Sequence, residues 1–295
     1  MQEYSSSDRQ KRNLSTFQSQ IPQQQISGNV APSPVADIGV NLTNRAFRKH
    51  WREVVHRSVD ANVKTLVLTG VSIPSSRQSL EFAHAWASET GRSNLIVTVG
   101  VHPHDAKTFS ERTIDDMRQM LLDPLAKAVG ECGLDYNRNY SPKHDQLLAF
   151  RSQVSLACEL AIPMFIHERE AHEDLTMVLD EFDGGQLPPI VIHCFTGTLN
   201  EAQVYIECGY FLSFAGTLCK KERGAHLREI IKQIPLERIM LETDAPFMGF
   251  VKGRKRSEPA DVVNVAQQIS ETLGIPLQDV CGITMQTTKS FFQID

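Results

Sequence analysis

A chain of 295 residues, 41% hydrophobic and 22% charged, is long enough for one large domain or two small ones and should fold as a globule. No apolar run approaches the roughly 18 residues that span a bilayer, and the N-terminus lacks the apolar core of a secretory signal. The expectation is an intracellular protein, cytoplasmic or nuclear, with no membrane partner. A net charge of −5 excludes a wholly basic protein that coats nucleic acid, so any polyanion must be gripped by a local patch. The six cysteines form no CxxC pair and read as reduced packing residues.

Residues 1 to about 30 are rich in Gln and Ser and carry no periodicity that buries a face, so they read as a disordered tail ahead of a single domain over 31–295. Arg9, Lys11 and Arg12 among serines resemble a transit peptide, while Glu3 and Asp8 speak against one. From Val35 onward, short apolar runs alternate with longer amphipathic stretches, the pattern of repeated βα units around a parallel sheet. The predicted strands are VADIGVNL (35–42), TLVLTGV (65–71), LIVTVGVHP (95–103), AKAVGECGLD (126–135), IPMFIHE (162–168), PIVIHCF (189–195), YFLSFAG (210–216) and RIMLETDAP (238–246). Between the fourth and fifth, Leu147, Phe150, Val154, Ala157 and Leu160 recur at helical spacing, predicting a helix over 142–160 with Ser141 as its N-cap and Pro142 in its first turn. Eight strand-helix units over about 250 residues predict a (β/α)₈ TIM barrel. A doubly wound open sheet alternates in the same way, but no GxGxxG follows the first strand.

In such a barrel the chemistry sits at the C-terminal ends of the strands. There the third strand ends in Gly-Val-His102-Pro-His104, the fourth in Gly-Glu131-Cys-Gly-Leu-Asp135, the fifth in His167, the sixth in His193 and the eighth in Glu242-Thr-Asp244. A single buried histidine is usually satisfied by a backbone carbonyl, and His167 alone would be read that way. Two imidazoles and two carboxylates ending four strands are another matter. Burying uncompensated carboxylates costs several kcal/mol apiece, and a divalent cation supplies the compensation directly. Glu131, His167, His193 and Asp244 therefore read as metal ligands.

Other residues remain open between two roles. Asp135 either orients a functional loop or caps a turn. Glu242, two residues before Asp244, either supports the site or forms a surface salt bridge. Thr196 and Gly197 offer N–H groups to a phosphate or simply make a tight turn. The basic run Lys252-Gly-Arg254-Lys255-Arg256 either holds phosphates at the rim or is a solvated loop or nuclear import signal.

The blocks DIGVNLT (37–43), GVHPH (100–104), GECGLDYNRN (130–139), PMFIHEREAH (163–172), HCFTGT (193–198) and LETDAP (241–246) resemble, in order, those of the TatD family of metal-dependent deoxyribonucleases. The resemblance implies an amidohydrolase-like TIM barrel and divalent-metal hydrolysis of phosphodiester bonds. Members closest to this pattern are 3′-5′ exonucleases on single-stranded DNA and RNA, with roles in DNA repair and apoptotic DNA degradation. It matches Glu131, His167, His193 and Asp244 to the family's metal ligands, makes Asp244 the residue that orients or deprotonates the attacking water, and turns His102 toward the scissile phosphate. Asn41, His102 and Arg169 are the expected substrate-binding residues.

Three departures qualify the match. Many relatives end the first strand in His-x-His, whereas this chain has Gly39-Val40-Asn41. The family's namesake shares that Gly-x-Asn pattern, so the gap marks a subgroup. It implies fewer protein ligands, hence Mg²⁺ or Mn²⁺, one or two ions, the second completed by substrate phosphate. Glu168 stands where relatives carry a small or sulfur-containing residue, and the loop after Pro246 is short. Two alternatives stay in view: an amidohydrolase acting on small-molecule esters or amides, and a non-catalytic nucleic-acid-binding protein.

Overall fold

The computed structural model describes residues 30–295 apart from 93, 183, 185 and 186, so all but the last residue of the predicted tail lies outside the described residues. Eight parallel strands pair each with the next, in the order β1 (Val35–Val40), β2 (Val63–Leu68), β3 (Leu95–Val99), β4 (Ala126–Asp135), β5 (Met164–Arg169), β6 (Ile190–His193), β7 (Phe211–Phe214) and β8 (Ile239–Leu241). Each overlaps one of the eight predicted segments. Helices α1 (Trp51–Asp60), α2 (Ile73–Thr90), α3 (Glu111–Met120), α4 (Lys143–Leu160), α5 (His172–Asp180), α6 (Leu199–Glu207) and α7 (Ala225–Ile231) fill the crossovers, and α8 (Val262–Leu273) and α9 (Leu277–Phe292) follow β8. This is the predicted (β/α)₈ barrel. Among the described residues no helix is long and apolar enough to cross a membrane.

The period-two geometry of strands explains how the site is placed. Met164 and Ile166 of β5 join the large cluster that packs sheet against helices, whereas Phe165 joins a second cluster with Ile38, Val67, Ile96, Val191 and Met240. That second cluster is the barrel interior, closed from below by Met285, Phe291 and Phe292 of α9. His167 follows Phe165 by two residues, and His193 follows Val191 by two. The inward face of each strand thus turns from apolar to polar as it reaches the C-terminal end. Pairing of His167 with His193 across β5 and β6 sets the two imidazoles side by side.

A side chain reinforces the closure of the barrel. β8 is only three residues long, and the bridge between Val40 and Ala245 is the backbone pairing that joins the last strand end to the first. Asp37 reinforces this seam from β1: its buried carboxylate accepts bonds from Thr243 N at 2.9 Å, Thr243 Oγ1 at 2.6 Å and Gly39 N at 3.2 Å. The predicted cap of α4 is corrected. Pro142, with ψ of 145°, is extended and stands before the helix, and Ser141 makes no cap bond. The Ser141 hydroxyl instead donates to His104 O at 2.7 Å and accepts from Lys107 N at 3.1 Å, tying this loop to the turn that follows β3.

Asp37→Ala leaves buried donors in Thr243 unpaired, and the expected cost is about 2–3 kcal/mol of unfolding free energy. Urea denaturation checks this, and a change below about 0.5 kcal/mol would remove Asp37 from the seam.

Candidate metal centre

Oε1 of Glu131 is the meeting point of three imidazoles. His193 Nε2 lies 2.8 Å from it, His167 Nδ1 3.0 Å and His102 Nε2 3.1 Å. Glu131 and His193 are buried, and the ring of Phe165 stacks beneath His193 with centroids 4.6 Å apart. Further carboxylates stand behind two of the rings. Asp135 Oδ2 is 3.3 Å from His167 Nε2 and 2.8 Å from His104 Nε2, while Glu242 Oε2 is 3.4 Å from His193 Nδ1.

These outer partners decide which ring nitrogen faces inward with a lone pair. A proton on His167 Nε2 is held by Asp135 and one on His193 Nδ1 by Glu242, which frees His167 Nδ1 and His193 Nε2 to donate to a metal. The two inward nitrogens are 3.4 Å apart. Two nitrogens about 2.1 Å from a common ion are separated by roughly 3.0–3.4 Å, between octahedral and tetrahedral angles. The residues fit a divalent cation on both chemistry and spacing.

His102 is different. Ligand atoms of His102, Glu131 and His167 all lie within 4.8 Å of one another, so distance alone would admit His102 to the set. However, His102 Nδ1 accepts the backbone N–H of His104 at 3.0 Å. Neutral His102 then carries its proton on Nε2, the atom that faces the centre, and it is a hydrogen-bond donor there. Burial, the largest influence, lowers its pKa against the pull of Glu131 and keeps the ring neutral.

Charge in the centre is balanced between neighbours. Burial raises Glu131, but His193, His102 and His167 outweigh it and hold the carboxyl well below the usual range. Burial opposes charge on His193 and His167, yet Glu131 and Glu242 hold the first well above the ordinary histidine value, and Asp135 with Glu131 raises the second. Protons on the inward nitrogens and a cation are alternatives for one place.

Asp244 follows β8, two strands on from the β6 that carries His193, and its Oδ1 accepts from Asn41 Nδ2 at 3.2 Å. Its backbone is left-handed, with φ of 53°, which turns the side chain out of the β8 register. Burial, with Glu131 and Glu242 adding to it, pushes its carboxyl up to about 8. Arg169 is exposed at the end of β5 and lines a cavity of 1160 Å³ beside the centre, as do Thr196 and Gly197. Glu168 accepts from Ala171 N at 2.7 Å, so it caps the turn into α5. The basic run after β8 is absent from the cavity lining, and Arg254 is paired with Asp261.

Two open residues resolve inward. Asp135 does both jobs, gripping His104 and His167 while Oδ1 accepts Arg138 N at 2.8 Å. Glu242 is fully buried, accepting from Ser213 Oγ at 2.7 Å and from Cys194 N. It also accounts for Gly39: a Cβ there would run into Glu242 Oε2, so the carboxylate fills the space that a side chain at 39 would need. The two-residue spacing of Glu242 and Asp244 hinted at this support, whereas its pairing with Gly39 spans the barrel seam and left no local signal.

The model of the family described as TatD related DNase matches residues 36–293. The chain belongs to the TatD related DNase family. The 3′-5′ ssDNA/RNA exonuclease TatD of Klebsiella pneumoniae is 37% identical over 264 residues, covering 88% of this chain and 98% of its own. That of Salmonella typhimurium is 36% identical over 267 residues, with the same shares covered. A hydrolase TatD family protein from Entamoeba histolytica has the same fold, with a TM-score of 0.81 at 23% identity over 89% of this chain and 99% of its own. Membership in this family supports the nuclease reading over the amidohydrolase alternative, which the shared barrel alone would leave standing.

Glu242→Gln keeps the size of the side chain but removes the charge behind His193. Divalent-metal affinity is expected to fall 10- to 100-fold with the circular dichroism spectrum intact. Affinity equal to that of the wild type in a calorimetric titration would contradict a supporting role.

Proposed function

We propose that the chain is a metal-dependent 3′-5′ exonuclease of single-stranded DNA and RNA. The observation that carries this is the convergence of three imidazoles on one Glu131 oxygen, with carboxylates locking two of them. Glu131, His167, His193 and Asp244 are the residues that would hold the ion. Mg²⁺ or Mn²⁺ suits them, because Glu242 rather than a ligand occupies the space beside Gly39 and coordination positions are left to water and substrate.

When bound, a divalent ion there supplies positive charge against a phosphodiester oxygen and makes a nearby water more acidic. The side chains do the rest. Asp244 accepts the water's proton in its ionised form: burial pushes its carboxyl up to about 8, so the carboxylate is a stronger base than usual, and positive charge bound beside it is what keeps it ionised near neutral pH. Asn41 holds the acceptor oxygen in place. His102, neutral with Nε2–H facing the centre, donates to a phosphate oxygen as negative charge builds on it. Arg169 stands at the rim for a second phosphate contact.

Work inside the cell fits this activity, and DNA repair or apoptotic degradation would consume the 3′ ends it removes.

Asp244→Asn keeps the side-chain size but cannot accept a proton, so hydrolysis of a single strand is expected to fall at least 1,000-fold while thermal melting is unchanged. Activity within tenfold of wild type removes Asp244 from this role. Titration of the protein with Mn²⁺ in the absence of nucleic acid is expected to give one tight site, and two tight sites would refute the substrate-completed second ion.

A further inference from the structure

We propose that the cavity beside the metal centre is the track for the strand body, the nucleotides 5′ to the bond being cut, and that Lys220 and Arg223 grip its phosphates. The assignment rests on the exonuclease reading and adds to it where the polymer lies. The cavity is lined by Glu168 and Cys194, the residues next to His167 and His193, by Lys220 and Arg223 on the segment between β7 and α7, and by His226 in the first turn of α7. Its 1160 Å³ exceeds the roughly 300–1,000 Å³ of a small-molecule pocket, which is more space than one terminal nucleotide requires.

Formal charge in the lining is balanced, with Arg138, Arg169, Lys220 and Arg223 against Glu168, Glu170, Glu201 and Glu229. The two signs differ in what they are free to do. Each carboxylate is already engaged by a donor close at hand: Glu168 by Ala171 N at 2.7 Å, Glu170 by Asn137 Nδ2 at 2.6 Å, Glu201 by Thr198 N at 2.6 Å and Glu229 by Lys232 Nζ at 2.8 Å. None of the four cations has a carboxylate partner among the described residues. Unpaired cations along an open path suit a phosphate backbone, whose charge repeats at every unit.

None of Glu131, His167, His193 and Asp244 lines the cavity that Lys220 and Arg223 line, so removing these two cations separates strand binding from chemistry. The test uses the full chain and the double variant Lys220→Ala/Arg223→Ala. Fluorescence anisotropy with a labelled 12-nucleotide strand in chelator reads binding without turnover. The expected result is a Kd about tenfold weaker and a slope of log Kd against log salt shallower by about 1.4, the value for two lost phosphate contacts on a single strand. With Mg²⁺ or Mn²⁺, the ratio of kcat/KM for that strand to kcat/KM for the p-nitrophenyl ester of thymidine 5′-monophosphate, which lacks a strand body, is expected to fall about tenfold. An unchanged Kd and ratio in the variant, beside a wild type that cleaves the strand, would overturn the assignment. So would an equal loss on both probes, which would put the damage in the centre. A wild type that cleaves neither probe overturns the exonuclease reading, and this assignment with it.

Discussion

One carboxylate oxygen, Glu131 Oε1, lies within about hydrogen-bond distance of three imidazole nitrogens, and the upper end of the barrel is organised around it. A buried carboxylate needs such partners, because the barrel interior below it is apolar from Ile38 round to Met240. The imidazoles in turn need acceptors on their outer nitrogens, and Asp135 and Glu242 provide them for His167 and His193. Each layer fixes the proton positions of the one inside it. The result is a centre whose two inward ring nitrogens are set by carboxylates standing behind the rings.

The same logic separates His102 from the other two histidines. All three lie 2.8–3.1 Å from Glu131 Oε1, and distance cannot tell a ligand from a donor. The backbone N–H of His104 on His102 Nδ1 makes the distinction. A donor ring and two acceptor rings on one carboxylate are what phosphodiester hydrolysis asks for, with positive charge on one side of the phosphate and a hydrogen-bond donor on the other.

Much of this was legible in the sequence, for physical reasons. Parallel strands buried on both faces read as short apolar runs, and all eight stood out. A polar residue two positions after an inward apolar one, as in Phe165 and His167, must share its face at the strand end. Less legible were features that join distant segments. The Asp37–Thr243 seam closes the barrel between its first and last strands, and the exclusion of a side chain at Gly39 by Glu242 crosses the same seam. Ser141 before Pro142 has the composition of a helix cap, but tertiary bonds to His104 and Lys107 take its hydroxyl first. The cavity draws its cations from the end of β5 and from the loops after β4 and β7, so no linear patch announced it.

The most direct test of the Glu131 centre is digestion of a 5′-labelled single-stranded oligonucleotide with Mg²⁺, with Mn²⁺ and with chelator, beside the Glu131→Ala variant. The account predicts a metal-dependent ladder shortening from the 3′ end by the wild type and none by the variant. No cleavage by folded wild-type protein with either metal, or cleavage by the variant at a wild-type rate, would contradict it.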